Sequence, residues 1–372
     1  MPSTPCPPPL LSVIVPTYNE ADNLADLVGR VERTLSGLAW ELIIVDDDSP
    51  DGTADRARTL AAADRRVRVL QRIGRRGLSS ACIEGLLASS APYLAVMDAD
   101  LQHDETLLPD MLAALRSEDL DIVIGSRYVA GGGLGGWDER RRSMSRFAGN
   151  LGRRLIKADI KDPMSGFFMV RAEVFRRRVR RLSGVGFKIL LDLFASGEPP
   201  LRFRELPYEF RVRQAGASKL DNAVLWEYLL MLIQKLLGPL IPLRFIAFSL
   251  IGGVGVGVHL LVLWLLFKGL GVSFLVGQAV ATLVAMTSNF FLNNILTYRD
   301  MRLRGRALIW GWLSFVLACS VGALANVGIA TYLFQAESYW VLSAIAGILV
   351  GAVWNYAVTA IYTWKRPKAG AA

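Results

Sequence analysis

Apolar and polar positions divide the chain into two unlike halves. In the first, short apolar runs alternate with segments of helical spacing. Residues 10–16 (LLSVIVP) predict a strand that stops at Pro16, and residues 23–38 predict a helix with Leu24, Leu27, Val28, Val31 and Leu35 on one face. Strands are predicted again at 41–45 (ELIIV), 67–70, 93–97 (YLAVM) and 122–125 (IVIG), and helices at 54–63 and 78–89. Strands that are nearly all apolar are buried on both faces. Their alternation with helices implies a mostly parallel sheet covered by helices on each side. Such sheets bind ligands beyond the carboxyl ends of their strands. The polar clusters of this half follow those ends: residues 17–20 (TYNE), 46–48 (DDD), 98–102 (DADLQ), and Ser126 with Arg127.

The second half is dominated by apolar residues in four spans, roughly 241–267, 273–297, 307–334 and 340–363. Each exceeds the about 20 residues that cross a bilayer. Four in succession, with short polar breaks, argue against buried helices of a soluble protein. Arg299, Arg302, Arg304 and Arg306 lie between the second and third spans, and Lys365, Arg366 and Lys368 follow the fourth; the other breaks offer only Lys268 and Glu337. The positive-inside rule places the basic breaks in the cytoplasm, and an even number of spans brings the first half to the same side. Two segments before the first span are amphipathic. Residues 140–156 are basic with Met144, Phe147, Leu151 and Leu155 at helical spacing, and residues 222–237 carry Leu225, Trp226, Leu229, Met231, Leu232 and Leu236. Either they lie in the headgroup region or they pack on the domain's own core. The expected division is a disordered leader (1–9), an α/β catalytic domain (10–220), an interface helix and linker (221–239), a four-helix membrane domain (240–364) and a cytoplasmic tail (365–372).

The formal charge of +9 suits nucleic acid, an anionic membrane or a phosphate-bearing substrate. Bilayer-length spans favour the membrane and the phosphate over nucleic acid. Cys6, Cys82 and Cys319 are scattered, without metal-ligand spacing or a disulfide framework, as expected in a reducing cytosol. The opening MPSTPCPPPL lacks the basic and apolar regions of a secretory signal.

Chemistry centres on Asp98 and Asp100. Two carboxylates two residues apart, just past a buried strand, can converge on one Mg²⁺ or Mn²⁺, with the Gln102 amide oxygen as a further ligand and substrate phosphates completing the shell. A solvated acidic turn has the same composition; the position at the ligand edge of the sheet separates the two. Asp46, Asp47, Asp48 and Asp51 can accept hydrogen bonds from a base or ribose, or Ser49 or Asp51 can cap the next helix. Tyr18 offers an aromatic face after the first strand, where Asn19 or Asp22 can also serve as a cap. His103 reads as a neighbour of the acidic motif, and His259, inside a span, as structural.

The motifs PTYNE, VDDDSPDGT, MDADLQH, GSRY, GGW with a basic cluster, DPMSGFF, GFK and GASKL occur in that order. Over residues 11–237 the chain resembles the dolichyl-phosphate (polyprenyl-phosphate) mannose synthase group of glycosyltransferase family 2. The apolar half resembles, in hydropathy and layout, the GtrA-type membrane domain of some members. The resemblance implies a GT-A fold and a metal-dependent, inverting transfer of mannose from GDP-mannose to a polyprenyl or dolichyl phosphate. By motif, Pro16, Tyr18, Glu20, Val45 and Asp47 would contact the nucleotide. Asp98, Ala99 and Asp100 would sit at the diphosphate, with Asp100 and Gln102 on the metal. Arg127, Lys188, Arg213 and Lys219 would line the phosphates, while Arg141 and Ser145, with Arg127, would hold the lipid phosphate. Residues 162–168 resemble the acceptor-side motif; by themselves they also read as a turn before a strand.

No general base is expected, because a lipid phosphate is already an anion. The obstacle is bringing two anions together, which Arg and Lys offset, while the cation neutralises the departing nucleoside diphosphate. The chain departs from the family at Asp104 and Glu105, where the usual run is His-Pro-Pro, and at Arg75, Arg76, Ser79 and Ser80. These departures loosen the choice of sugar, since relatives that use UDP-glucose share much of the pattern. Translocation of the lipid-linked sugar by the membrane domain is a second reading. Few charges lie inside the spans, which argues against an ion-coupled pump. Asn289, Asn293, Asn294, Asn326 and Asn355 either line a polar path or bridge helices. A non-catalytic binding protein is disfavoured by the intact acidic motif and cations. A homo-oligomer stays open.

Overall fold

The computed structural model describes residues 8–133, 135, 149, 156, 158–184, 188–197, 199–211, 230, 233, 241–335 and 340–364. Arg141, Ser145, Arg213 and Lys219, most of both amphipathic segments, most of the leader and the whole tail lie outside them. The chain divides into two compact units, Met1–Leu236 and Leu237–Ala372.

Among the described residues, the first unit is built on a seven-stranded sheet. Its elements run β1 (Leu11–Thr17), α1 (Leu24–Thr34), β2 (Trp40–Asp46), α2 (Thr53–Ala63), β3 (Val67–Gln71), α3 (Leu78–Leu87), β4 (Tyr93–Val96), α4 (Leu108–Ser117), β5 (Ile122–Ser126), β6 (Phe168–Arg171), α5 (Ala172–Arg178), α6 (Ile189–Ala195) and β7 (Phe203–Pro207). The strand order is β3-β2-β1-β4-β6-β5-β7. Strands β3, β2, β1 and β4 are mutually parallel, as is the β5–β7 pair, but β6 runs antiparallel to both β4 and β5. The sheet is therefore mixed. β7 was not among the strands expected from the sequence, and β6 bears out the reading of residues 162–168 as a turn before a strand. β6 is four residues long and follows a loop punctuated by Pro163 and Gly166, and β7 is a half-exposed edge strand rich in charge.

Successive residues of the central strands feed opposite faces. Val13, Leu42, Ile44 and Ala95 join Leu24, Leu27, Met111 and Leu115 on one side, while Ile14, Ile43, Val45 and Leu94 join Cys82, Leu86, Phe175 and Leu190 on the other. This two-sided burial is why the strands read as unbroken apolar runs. Pro16 is tolerated in a central strand because β4 ends opposite Ile14, so no ladder bond on that side is lost. Helix α3 lies close on the sheet: a Cβ at Gly85 would stand 2.5 Å from Ile14 Cγ2 and 2.8 Å from Val45 Cγ2.

Among the described residues, the second unit holds four α-helices: α7 (Leu243–Trp264), α8 (Phe274–Leu292), α9 (Arg306–Gln335) and α10 (Trp340–Val358). Among the described residues, three stretches are long and apolar enough to cross a membrane: Leu243–Gly269, Phe274–Thr297 and Arg306–Leu324. Leu260, Trp264, Leu275 and Trp310 are all more than half exposed, as lipid-facing side chains are.

The four helices are one hairpin used twice. Phe248 and Gly255 of α7 correspond to Phe315 and Gly322 of α9. The run Asn289, Phe290, Asn293, Thr297, Tyr298 at the end of α8 corresponds to Asn355, Tyr356, Thr359, Thr363, Trp364 at the end of α10. Contacts repeat accordingly. Phe248 meets Tyr356 at 5.8 Å between ring centroids, and Phe315 meets Phe290 at 5.7 Å. Asn289 packs where a Cβ on Gly255 would go, and Asn355 does the same at Gly322. The corresponding aromatics Tyr298 and Trp364 stack on each other at 4.1 Å with planes 5° apart. The second helix of each hairpin, α8 and α10, runs on into one π-helical turn, Asn293–Thr297 and Thr359–Thr363.

Candidate active site

Four loops meet the carboxyl edge of the sheet where polar clusters were expected. Asn19, Asp48 and Leu101 are the non-glycine residues with positive φ among the described residues, at 57°, 56° and 60°. One lies beyond β1, one beyond β2 and one beyond β4. Strained backbone thus gathers at this edge, as it does at functional sites.

The first two loops are laced together. The backbone N–H groups of Asn19, Glu20 and Ala21 donate to Ser49 Oγ, Thr53 Oγ1 and Asp51 Oδ2 at 3.0, 3.0 and 3.2 Å. Asp46 is fully buried and braces the junction by accepting from Thr17 Oγ1 and from the Ser49 N–H and hydroxyl. Asp51 accepts from the Thr53 N–H and hydroxyl at the start of α2, so the capping alternative holds for this residue. Burial opposes its charge, but these hydrogen bonds outweigh it and hold the carboxyl below its ordinary value.

Asp47 accepts from Arg72 Nη1 at 2.6 Å and from the Gly77 N–H at 2.7 Å. Burial pushes its carboxyl above the ordinary value against those two groups. Arg72, itself buried, reaches on to Ser80 Oγ at 2.6 Å, so Ser80 has a partner in the loop that carries Arg75 and Arg76. Tyr18 is half-buried, with the Arg76 guanidinium 4.5 Å from its ring centroid.

The acidic motif is wound around His103. The imidazole is buried, stacked on Phe167 at 5.2 Å, and its Nδ1 accepts from the Asp98 N–H at 3.0 Å. Nε2 lies 3.7 Å from Asp98 Oδ2. Burial lowers the imidazole pKa against the pull of Asp98 and Asp100, which favours the neutral ring. Asp98 keeps 36% of its side-chain surface, whereas Asp100 is buried and accepts from the Gln102 N–H. Gln102 donates its amide N–H to the Arg211 carbonyl at 2.9 Å, which turns the amide nitrogen away and leaves the oxygen as the group for a ligand. Asp104 and Glu105 both accept from Arg211, at 2.7 and 2.6 Å. These carboxylates therefore tie the acidic loop to the exit of β7.

Two cations face the acidic motif. Arg127 is buried and forks onto Asp162, with Nε and Nη2 each 2.8 Å from a carboxylate oxygen. Burial works against its charge, but Asp162 outweighs burial and holds the guanidinium well above its ordinary value. Lys188 Nζ donates to the Met164 carbonyl at 3.0 Å. Desolvation, with repulsion from Arg127, pulls its pKa down to about 8. The 162–168 loop thus holds both cations, and its Gly166 lies against the acidic motif: a Cβ there would be 3.2 Å from Asp98 Oδ2.

Models of two families match the chain: "Glycosyl transferase family 2" over residues 12–179, and "GtrA/DPMS, transmembrane domain" over residues 247–364. A dolichol-phosphate mannosyltransferase of Pyrococcus furiosus is 36% identical over 95% of this chain and 99% of its own length. The chain belongs to glycosyltransferase family 2, among its dolichol-phosphate mannosyltransferases. Another of that name, from Saccharomyces cerevisiae, is 37% identical over 59% of this chain and 84% of its own. Among solved structures, glucosyl-3-phosphoglycerate synthase from Mycobacterium tuberculosis, in complex with Mn²⁺, UDP-glucose and phosphoglyceric acid, aligns at a TM-score of 0.47. It is 18% identical over 62% of this chain and 81% of that one.

For this glycosyltransferase, the structure brings together Pro16, Tyr18, Glu20, Val45, Asp47, Asp98, Ala99, Asp100, Gln102, Arg127 and Lys188 along one sheet edge. Sequence reasoning missed Asp162 as the partner of Arg127, Arg72 as the partner of Asp47, and Tyr208. Tyr208 is 4% exposed, packs edge-on against His103 and Phe167, and its hydroxyl has no hydrogen-bond partner among the described residues. Burial raises its pKa, so it stays a phenol. A buried orphan hydroxyl beside the acidic motif is a group waiting for a polar ligand. No three His, Cys, Asp or Glu side chains converge among the described residues. The oxygen donors here suit a hard cation that takes its other ligands from substrate phosphates.

Proposed function

We propose that this enzyme transfers mannose from GDP-mannose to a polyprenyl or dolichyl phosphate, with inversion, at the cytoplasmic face of a membrane crossed by all four helices of the second unit. The observation that carries this reading is the seating of Arg127 and Lys188 on the same loop whose Gly166 touches Asp98. That loop sets cations where two anions must meet.

The lipid phosphate oxygen attacks the anomeric carbon as the bond to the nucleoside diphosphate breaks, and GDP leaves with the electron pair. No proton moves, so the buried, neutral His103 fits a positioning role rather than that of a base. The bidentate hold of Asp162 fixes the Arg127 fork before substrates arrive, which limits reorganisation during transfer. The lacing of the first two loops orients Tyr18, Glu20 and Asp47 toward a nucleotide. Asp100 and the Gln102 amide oxygen, with Asp98 beside them, fit Mg²⁺ or Mn²⁺, which when bound supplies positive charge to the departing diphosphate.

The test offers labelled GDP-mannose and UDP-glucose separately, with a polyprenyl phosphate and either metal. Lipid-soluble label from GDP-mannose alone, in a β-linked product, is the expected result, and Asp100→Ala is expected to lower turnover by more than about 100-fold. Label from UDP-glucose alone would replace the donor. Unchanged turnover in Asp100→Ala would remove the metal from the mechanism.

A further inference from the structure

The two hairpins of the second unit differ at two positions that serve one loop. Asn294 stands where the second hairpin has Ala360, and Gly311 stands where α7 has Arg244. Asn294 Oδ1 accepts from the Leu303 N–H at 2.8 Å and from Trp364 Nε1 at 3.1 Å, while its Nδ2 donates to the Leu303 carbonyl at 3.2 Å. The Leu303 side chain occupies the space that a Cβ on Gly311 would need. Leu303 is thereby held through its backbone and its side chain, and its neighbours Arg302 and Arg304 stay exposed. Neither arginine has an ion-pair partner among the described residues. Both line a cleft of about 340 Å³ whose other walls include Phe291, Ile295 and Leu308. The surface beside it is apolar, with Ile309 62% and Trp310 73% exposed.

A pair of exposed guanidinium groups without an ion-pair partner among the described residues, above an apolar floor and beside a lipid-facing surface, matches an anion carried on a hydrocarbon chain. We infer that this cleft holds the phosphate headgroup of an anionic phospholipid, with its chains lying against α8 and α9. A soluble anion would leave the apolar floor uncovered. A zwitterionic headgroup would bring its own cation to the arginine pair. The inference rests on reading α7, α8 and α9 as membrane spans and is independent of the transfer reaction.

The experiment uses the full-length protein in micelles carrying equal phosphatidylglycerol and phosphatidylcholine, with retained lipid counted by native mass spectrometry. Wild type is expected to retain phosphatidylglycerol about tenfold over phosphatidylcholine. Arg302→Gln with Arg304→Gln is expected to bring the ratio near one. Asn294→Ala, which alters no charge, is expected to lower it as well. Arg306→Gln, in the same basic segment but outside the cleft, is expected to leave it unchanged. Mannosyl transfer assayed in phosphatidylcholine micelles is expected to persist in every variant, which checks that each is folded. Equal retention by wild type would overturn the site. So would a loss in Arg306→Gln as large as in the double variant, or an unchanged ratio in Asn294→Ala, since diffuse charge would then suffice. Retention of added polyprenyl phosphate in preference to phosphatidylglycerol would overturn the assignment to a bilayer phospholipid.

Discussion

In the proposed reaction Lys188 carries its charge in a place that resists it. With its pKa drawn down to about 8, the ammonium is present at neutral pH and is lost as pH rises through that value. The expected result is a decline in kcat/KM above about pH 8, read from initial rates in the free-enzyme regime, and its disappearance in Lys188→Arg. Stability moves the other way. The unfolded chain, with an ordinary lysine near 10.5, binds more protons than the native state between about 8 and 10.5, so this residue's contribution rises with pH across that window. Opposite slopes for activity and for thermal stability would show that one group governs both. At this scale the sequence reveals residues that act within short motifs, such as Asp98, Asp100 and Gln102. It conceals partners far along the chain. Asp47 with Arg72, Arg127 with Asp162 and Glu105 with Arg211 are pairings of side chains whose separations carry no pattern.

Among elements, the strands that build the ligand edge were legible because burial on both faces leaves them almost wholly apolar, with Ser12 and Glu41 hydrogen-bonded to each other as exceptions. The same uniformity hides direction. Nothing in Phe168, Met169 and Val170 says that β6 runs against β4 and β5, and only the register of Tyr93 with Arg171 and of Ile122 with Val170 reveals it. Helix α3 shows how closely the layers approach. Gly85→Ala would force a methyl into Ile14 and Val45, with an expected cost of about 1–3 kcal/mol from overpacking. Gly29→Ala on α1 meets only the end of the Arg33 side chain at 3.4 Å, and should instead gain about 0.5–1 kcal/mol from helix propensity. Chemical denaturation of the two variants, compared with the parent, separates a layer contact from a backbone preference.

Across the whole molecule, the division into a sheet unit and an apolar unit is plain in the hydropathy, but the duplication inside the apolar unit is not. Corresponding positions are few and far apart along the chain, and some keep only their general character: Phe290 with Tyr356, Asn293 with Thr359, Tyr298 with Trp364. A hydropathy profile records only apolar length and passes over such matches. The repeat has a consequence for how the chain enters a bilayer. On the proposed four-span topology, each hairpin starts and finishes on one side and leaves a cation just past its aromatic residue, Arg299 in the first and Lys365 in the second. On that topology the insertion machinery would meet the same topological instruction twice. A chain cut after Gly305 is expected to leave its N-terminal unit on the same side of sealed vesicles as the full protein, by protease accessibility, whereas deleting α7 alone sets the first cue against the second and should give molecules of both orientations.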